Sequence, residues 1–154
     1  NGGDKIVLNT YIVQERPDLI NDIAKKFGSQ AVTVSIEAKK WDGWWECYTD
    51  GGRVRSSKSV EDWVREIQDR GAGEIFVQSV DTDGRKKGFD IALAEMVVQN
   101  SDVPVVIGSG CGSIDHVLDL VNDIGPSGVC ISSALHYDLF SVAELKKKME
   151  ANVL

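Results

Sequence analysis

A carboxylate that follows a run of strand-forming residues is the candidate for acid–base chemistry in this sequence. Glu37 comes directly after the apolar stretch 31–36. A carboxyl group at the end of a buried strand can have a shifted pKa, and it can then act as a general acid or base. An ion pair with Lys39 or Lys40 is the structural alternative, and the sequence alone leaves both open.

Polar residues also end four other apolar segments, and their types fit the binding of phosphate, amide or hydroxyl groups. The glycine-rich stretch 108–113 follows one of these segments, and glycine lets backbone N–H groups approach an anion closely at a helix start. Tight turns without a ligand, or hydrogen bonds to neighbouring loops, would have the same pattern. The candidate binding residues at these ends are Asn9, Gln78, Ser79, Ser109, Gly110, Ser132 and Ser133.

Two charged residues lie at the opposite ends of two of the segments. Lys5 and Glu74 each come at the start of an apolar run. At the amino-terminal end of a strand in a (βα) barrel, a charged pair usually serves stability. Control of a passage through the barrel is the functional alternative.

The elements that position these residues alternate regularly. We predict strands at 4–9, 31–37, 74–79, 103–109 and 128–133, and helices at 17–27, from 59, at 88–99, from 113 and from 141. Strand–helix alternation of this kind is typical of an α/β fold with a parallel sheet. We therefore expect a partial (βα) barrel of about five βα units, a single domain over residues 1–154, with its functional groups at the carboxyl ends of the strands.

One connection departs from this rhythm. Residues 39–58 contain Trp41, Trp44 and Trp45, with turn-forming pairs on either side of the stretch 44–49. The pattern predicts a small β-excursion above the rim of the barrel. The tryptophans either pack the excursion onto the rim or form a lid or partner surface, since exposed aromatic residues are typical of interfaces.

Composition limits the function class. The formal net charge of −7 argues against non-specific binding to nucleic acid. No apolar run reaches the ~18 residues of a membrane helix, so no membrane association is expected. The three cysteines, Cys47, Cys111 and Cys130, are widely spaced and indicate neither a disulfide framework nor a zinc site, which suits a reducing, cytoplasmic setting. Two histidines are too few for most histidine-based metal sites, and we predict no metal or cofactor.

The motifs at these positions resemble a known enzyme family, the cyclase subunit of imidazole glycerol phosphate synthase, a (βα)8 barrel of histidine biosynthesis. The likeness covers nearly the whole chain and corresponds to the fourth to eighth βα units of that family; related cyclases of surface-sugar amidination pathways are similar. It is carried by GDKIVLNT (3–10), FGSQAV (27–32), IEAK (36–39), DW (62–63), RGAGEI (70–75), SVD (79–81), DG (83–84) and GSG (108–110), followed by His116.

The resemblance implies a reaction and two acid–base groups. The family takes ammonia from a glutaminase partner and closes an imidazole ring on a bisphosphorylated ribonucleotide, with two aspartates as acid and base. One of these lies on the family's first strand, outside the likeness, and the other corresponds to Glu37. The chain thus has Glu where the family has Asp, and the extra methylene matters because positioning carries much of a catalysed rate.

The resemblance also implies binding roles. Asn9 corresponds to a substrate-binding Asn, Gln78 replaces a Thr and Ser79 is retained. In the glycine-rich stretch Gly108 replaces Ser, Ser109 replaces Gly and Gly110 is retained; Ser133 matches the second phosphate loop, where Ser132 replaces Ala. Lys5 and Glu74 match a charged ring at the ammonia entrance, and Asp4 lies in the region that faces the glutaminase.

We interpret the opening residues, Asn1 to Gly3, as the end of a helix–strand loop, a processed start being the alternative. Without the first three βα units we expect no cyclase turnover from this chain alone. Five parallel strands leave two open sheet edges, so we expect a homo-oligomer or a complementing amino-terminal half. The alternative function is a non-catalytic phosphate-binding or assembly module; the expected partners are a phosphorylated small-molecule substrate and a glutaminase subunit.

Overall fold

The structure, a computed structural model, describes residues 2–152. Strands and helices alternate along the chain, and within these residues no helix is long and apolar enough to cross a membrane. The elements are β1 (Ile6–Leu8), α1 (Thr10–Gln14), α2 (Leu19–Phe27), β2 (Val32–Trp41), β3 (Trp44–Thr49), β4 (Val54–Ser59), α3 (Val60–Asp69), β5 (Glu74–Ser79), α4 (Ile91–Gln99), β6 (Val105–Gly108), α5 (Ile114–Asp123), β7 (Gly128–Cys130), α6 (Ser133–His136) and α7 (Val142–Asn152).

Five strands form a parallel sheet in the order β1, β2, β5, β6, β7. Spatial order follows chain order, and helices lie in every connection between neighbouring strands. This is the arrangement expected of consecutive units of a (βα) barrel. The predicted fold class, a partial barrel of about five βα units, is confirmed.

The two faces of the parallel sheet differ. On the face beneath the helices, the alternate residues of β2, β5 and β6 are apolar and buried; they include Val34, Ile75 and Ile107. On the opposite face Phe76 and Val106 are only half-buried, and Val7 is 61% exposed. The core therefore lies between sheet and helices, while the inner face of the partial barrel is incompletely covered.

The predicted β-excursion is an antiparallel hairpin, β3 and β4, attached to an extension of β2. The prediction that this strand ends at Glu37 is wrong, because β2 continues to Trp41 and pairs there with β3. The three tryptophans differ: one is packed, as expected for attachment to the rim, and two are exposed, as expected for a lid or partner surface. Trp45 is half-buried and its Nε1 donates to Asp90 at 3.0 Å, whereas Trp41 and Trp44 are exposed.

Other predicted boundaries need correction. The helix expected at 17–27 begins at Leu19, and the one expected at 88–99 begins at Ile91, where the Asp90 side chain accepts from the backbone N–H of Leu93. The last strand ends at Cys130 rather than at Ser133, which instead begins α6. Helix α1 and strand β4 were not predicted.

Candidate functional site

Four strands align their carboxyl ends in one row. Glu37 pairs in register with Gln78, Gln78 with Gly108, and Gly108 with Cys130. Side chains of directly opposed residues in a sheet lie on the same face. Glu37 and Gln78 therefore lie side by side on the inner face, beside the glycine-rich stretch after β6, whereas Ser79 pairs with the buried Ala38 on the opposite face.

Both carboxylate oxygens of Glu37 accept hydrogen bonds. Asn9 Nδ2 donates to Oε1 at 2.9 Å, and the backbone N–H of Gly52 donates to Oε2 at 2.7 Å. The alternative of an ion pair with a neighbouring lysine is wrong for the described residues, since Lys39 and Lys40 place their ammonium groups 5.2 Å and 5.0 Å from the ring centroids of Tyr48 and Trp45. Donors on both oxygens hold the carboxylate in one orientation.

Gly52 reaches Glu37 because the turn between β3 and β4 has an unusual backbone. Asp50, Gly51 and Gly52 all have positive φ, of 55°, 67° and 75°. A Cβ at Gly52 would lie 2.9 Å from Val80, whereas one at Gly51 would meet nothing within 4 Å. The sequence analysis identified a turn here but missed its contact with the carboxylate, and the pair of adjacent glycines was the available signal.

Two adjoining cavities lie along the row. The first, of about 150 Å³, is lined by Glu37, Gly51, Gly52, Gln78, Ser79, Val80, Asp83 and Ser109. The second, of about 200 Å³, is lined by Gln78, Asp83, Ser109, Gly110, Cys111, Cys130, Ser132 and Ser133. Because they share Gln78, Asp83 and Ser109, they form one groove. Every candidate binding residue lines it except Asn9, which contacts Glu37 instead.

Several polar atoms in this region are buried without a protein partner. Ser79 Oγ, Ser109 Oγ and Asn9 Oδ1 have no hydrogen-bond partner within residues 2–152, and Ser79 is only 2% exposed. Buried polar atoms are paired in the great majority of cases, so unpaired ones call for an explanation. A hydroxyl group of a ligand would donate to Asn9 Oδ1, and a hydroxyl or phosphate oxygen would accept from Ser109 Oγ.

The glycine turn, residues 108–112, packs against the loop 80–90. Gly88 N donates to Gly110 O at 2.9 Å. A Cβ at Gly110 would lie 2.1 Å from Gly88 O, and one at Gly112 would lie 2.1 Å from Lys86 O. Both glycines are therefore required by this contact, and the turn cannot change shape without the loop.

Cys111 stands in the glycine turn and lines the second cavity. Its Sγ lies 3.6 Å from Ser113 O, and burial raises the pKa of this thiol. The group is thus a neutral donor rather than a thiolate. Within residues 2–152, no cluster of three or more His, Cys, Asp or Glu residues is arranged to hold a metal ion.

A charged pair lies at the opposite end of the same face. Lys5 Nζ is 2.7 Å from Glu74 Oε2, and Thr33 Oγ1 donates to Glu74 Oε1 at 2.8 Å. The Lys5 hydrogen bond, aided by Thr33 and opposed by partial burial, lowers the pKa of Glu74. The expected Lys5–Glu74 pair therefore forms, and the nearby Asp4 is exposed.

Comparison with known proteins agrees with this arrangement. Residues 1–141 match the model of a family described as histidine biosynthesis protein. The chain belongs to this family. Imidazole glycerol phosphate synthase subunit HisF of Streptococcus sanguinis is 42% identical over 151 residues, and that of Pyrococcus furiosus is 41% identical over 152 residues. The HisF subunit of Natronomonas pharaonis is 37% identical over 163 residues.

These alignments cover 97–98% of this chain and 59–60% of each relative. The chain therefore spans about 60% of the length of the curated HisF relatives it matches. The resemblance drawn from the motifs is confirmed at the level of the family.

Proposed function

We propose that this chain forms part of the active face of an imidazole glycerol phosphate synthase cyclase, with Glu37 as one of its two proton-transfer groups. The observation that carries the proposal is the Asn9–Glu37–Gly52 arrangement beside a groove with unpaired hydroxyls. An oriented carboxylate next to a polar groove has the geometry of a general base.

Glu37 would accept a proton as ammonia attacks the ribonucleotide and return it during ring closure. Its side chain is one methylene longer than the Asp of the family, and here both oxygens are fixed by N–H donors. The second acid–base group corresponds to a strand outside the likeness. Turnover is therefore proposed for this chain together with a complementing amino-terminal half, and not for the chain by itself.

The second cavity would hold one phosphate of the substrate. Ser109, Gly110, Ser132 and Ser133 line it, and Ser109 Oγ has no protein partner there. Asp83 lines the same cavity, so its carboxylate would face a sugar hydroxyl rather than the phosphate, because two anions in contact repel. Gln78 and Ser79 would contact the middle of the substrate.

The opposite end of the strands would admit ammonia. Lys5 and Glu74 form a charged pair on the inner face there, and Asp4 lies next to it on the surface. A glutaminase subunit would dock at this end, while the substrate occupies the other. The inner face between the two ends would then be the route of ammonia.

A second candidate function is an assembly module that keeps phosphate binding without catalysis. It is favoured by the uncovered inner face, with Val7 61% exposed, and by the outer sides of β1 and β7, on which no strand pairs within residues 2–152. Unpaired parallel edges favour association with further strands. A second copy or a complementing amino-terminal half would cover them.

The test is reconstitution with the first three βα units of a related cyclase, assayed with free ammonia and the ribonucleotide. Glu37→Gln should lower the restored turnover by at least ~100-fold. Glu66→Gln, a matched change on α3 where the carboxylate pairs with Arg70, is the control and should leave turnover unchanged.

Full turnover by the Glu37→Gln complex would refute proton transfer by Glu37. Absence of turnover in every complex, together with measurable phosphate binding, would favour the assembly module. Light scattering then shows whether a second copy or a complementing amino-terminal half covers the open strand edges. A stable homo-oligomer of the chain alone supports the second copy. A monomer that gains mass only when the amino-terminal units are added supports the complementing half.

A further inference from the structure

His116 accepts a hydrogen bond from the backbone of the glycine turn. The N–H of Gly112 donates to His116 Nδ1 at 3.1 Å. A ring nitrogen that accepts must carry a free lone pair, so the imidazole is neutral and holds its proton on Nε2. His116 itself lines neither cavity of the groove.

The imidazole also lies beside the loop that packs against the turn. A Cβ at Gly88 would lie 3.8 Å from Cδ2 of His116. The backbone N–H of His116 donates to Ser113 Oγ at 3.3 Å, which fixes the residue in the first turn of α5. His116 thus binds the glycine turn and lies beside the loop 80–90.

We propose that His116 is a positioning residue for anion binding: its neutral imidazole holds Gly112 N–H and so keeps the glycine turn in the shape that forms the second cavity. The inference rests on the proposed function, because it takes this cavity to bind phosphate. Protonation of Nδ1 replaces the acceptor with a donor, and two N–H groups then face each other. The turn loses this hydrogen bond and phosphate affinity falls.

Charged groups near the imidazole come from three elements. Asp115 is its neighbour on α5, and that carboxylate forms an ion pair with Lys148 of α7 at 2.6 Å. From the loop 80–90, Lys86 approaches Gly112 through its backbone while its ammonium lies 4.0 Å from the centroid of the Tyr137 ring. Asp115 lies close enough to interact with the imidazole electrostatically, and the Gly112 N–H is the hydrogen bond that protonation of Nδ1 removes.

The first experiment measures the backbone of the glycine turn in the absence of phosphate. In ¹⁵N spectra of the chain between pH 5 and 8, the Gly112 amide should shift with the same midpoint as the His116 ring. His116→Asn keeps an acceptor but does not titrate, so it should abolish the pH dependence of this amide. His136, the other histidine, is the control, and His136→Asn should leave the Gly112 titration intact.

The second experiment measures binding of inorganic phosphate by calorimetry at pH 8, where the ligand is a dianion. His116→Leu should weaken binding at least ~10-fold, whereas His116→Asn should remain within about threefold of the wild type. Equal affinity of the Leu variant and the wild type, or a Gly112 amide that ignores the titration of His116, would overturn the inference. If the wild type binds no phosphate, the anion site itself fails, and the amide titration still decides whether His116 holds the turn.

Discussion

The two ends of the inner sheet face carry similar groups in different states of pairing. At the amino-terminal end, Glu74 accepts from Lys5 and from Thr33, so each carboxylate oxygen has a protein donor. At the carboxyl-terminal end Glu37 is likewise held, but Ser109 Oγ, which belongs to the same groove, is buried and has no hydrogen-bond partner within residues 2–152. A fully paired polar group needs no ligand, whereas unpaired buried hydroxyls favour a bound one.

Position in the barrel alone would give the same division, because catalytic groups lie at the carboxyl ends of barrel strands and stabilising groups at the other. Pairing adds a criterion that can be measured residue by residue. Removing a paired group should lower the free energy of unfolding and leave phosphate binding intact. Removing an unpaired group should weaken phosphate binding and leave the free energy of unfolding intact.

The largest effect is expected at a paired carboxylate away from both ends. Glu46 is fully buried and accepts from Arg55 at 2.8 Å and from the Ser57 N–H at 2.8 Å. Burial raises the pKa of Glu46, but the Arg55 and Ser57 hydrogen bonds outweigh it and the pKa is lowered. Arg55→Met should lower the free energy of unfolding more than any other change proposed below, because it leaves the buried Glu46 carboxylate with the Ser57 N–H as its remaining donor.

Urea denaturation at pH 7 and fixed protein concentration measures this loss. Arg53→Met, an exposed arginine of the same hairpin, is the control and should change stability by less than ~0.5 kcal/mol. A similar loss in both variants would show that general hairpin disruption, and not the unpaired carboxylate, is responsible.

The turn that holds Glu37 allows a matched pair of glycine variants. Gly51→Ala and Gly52→Ala both introduce a side chain at positive φ, which costs ~1 kcal/mol. Only Gly52→Ala also meets Val80, at 2.9 Å, and must move the N–H away from Glu37. We expect an additional loss of roughly 1–2 kcal/mol and, in the reconstituted cyclase, a lower kcat for Gly52→Ala alone. Equal stability and equal kcat of the two variants would show that the contact between Gly52 and Glu37 does not contribute to the site.

Hydroxyl variants at the two ends should have opposite effects. Thr33→Val removes the donor to Glu74 and should lower stability by ~1 kcal/mol without changing phosphate affinity. Ser109→Ala removes an unpaired oxygen, so stability should not fall, while phosphate affinity should fall roughly fivefold for one lost hydrogen bond. Urea denaturation and phosphate calorimetry on the same samples test both. Loss of stability in Ser109→Ala would contradict the pairing criterion.

The smallest effect is the pH dependence of the Lys5–Glu74 pair. The pKa of Glu74 is lowered in the folded state, so its stabilisation is present above the unfolded value of about 4.5 and is lost as pH falls through the folded value. The wild type should exceed Glu74→Gln in stability at pH 6 by less than ~1 kcal/mol, since Lys5 is half exposed. The two should converge near pH 3. A constant difference across this range would place the effect in packing rather than in charge.

The alternation of strand and helix segments predicted the parallel layer well. Ser59 and Ser113 accept from the residues three positions on, as helix N-caps should, and the row of strand ends follows from apolar runs that stop at polar residues. Strand β4 was missed because VRSSKS has no apolar periodicity; its strand conformation comes from pairing with β3. Helix α1 was missed because Asn9 makes no side-chain cap and five residues give too short a pattern.

The site shows the same division. Glu37, Asn9 and the serines were predicted as candidates because they follow apolar runs in the sequence. The contact of Gly52 with Glu37 depends on how a distant turn folds back over the sheet, and the contact of His116 with Gly112 depends on the shape of the glycine turn. Such contacts are three-dimensional outcomes that no local pattern determines.

Among the described residues no strand pairs with the outer side of β1 or of β7, and this has a consequence for symmetry. The two edges belong to different strands, so a contact between β7 of one copy and β1 of another is heterologous. A heterologous contact adds copies in one direction and ends only when rotation brings the last copy back to the first. Self-association that pairs β7 of one copy with β1 of the next is therefore either a closed ring of fixed size or a filament whose length grows with protein concentration.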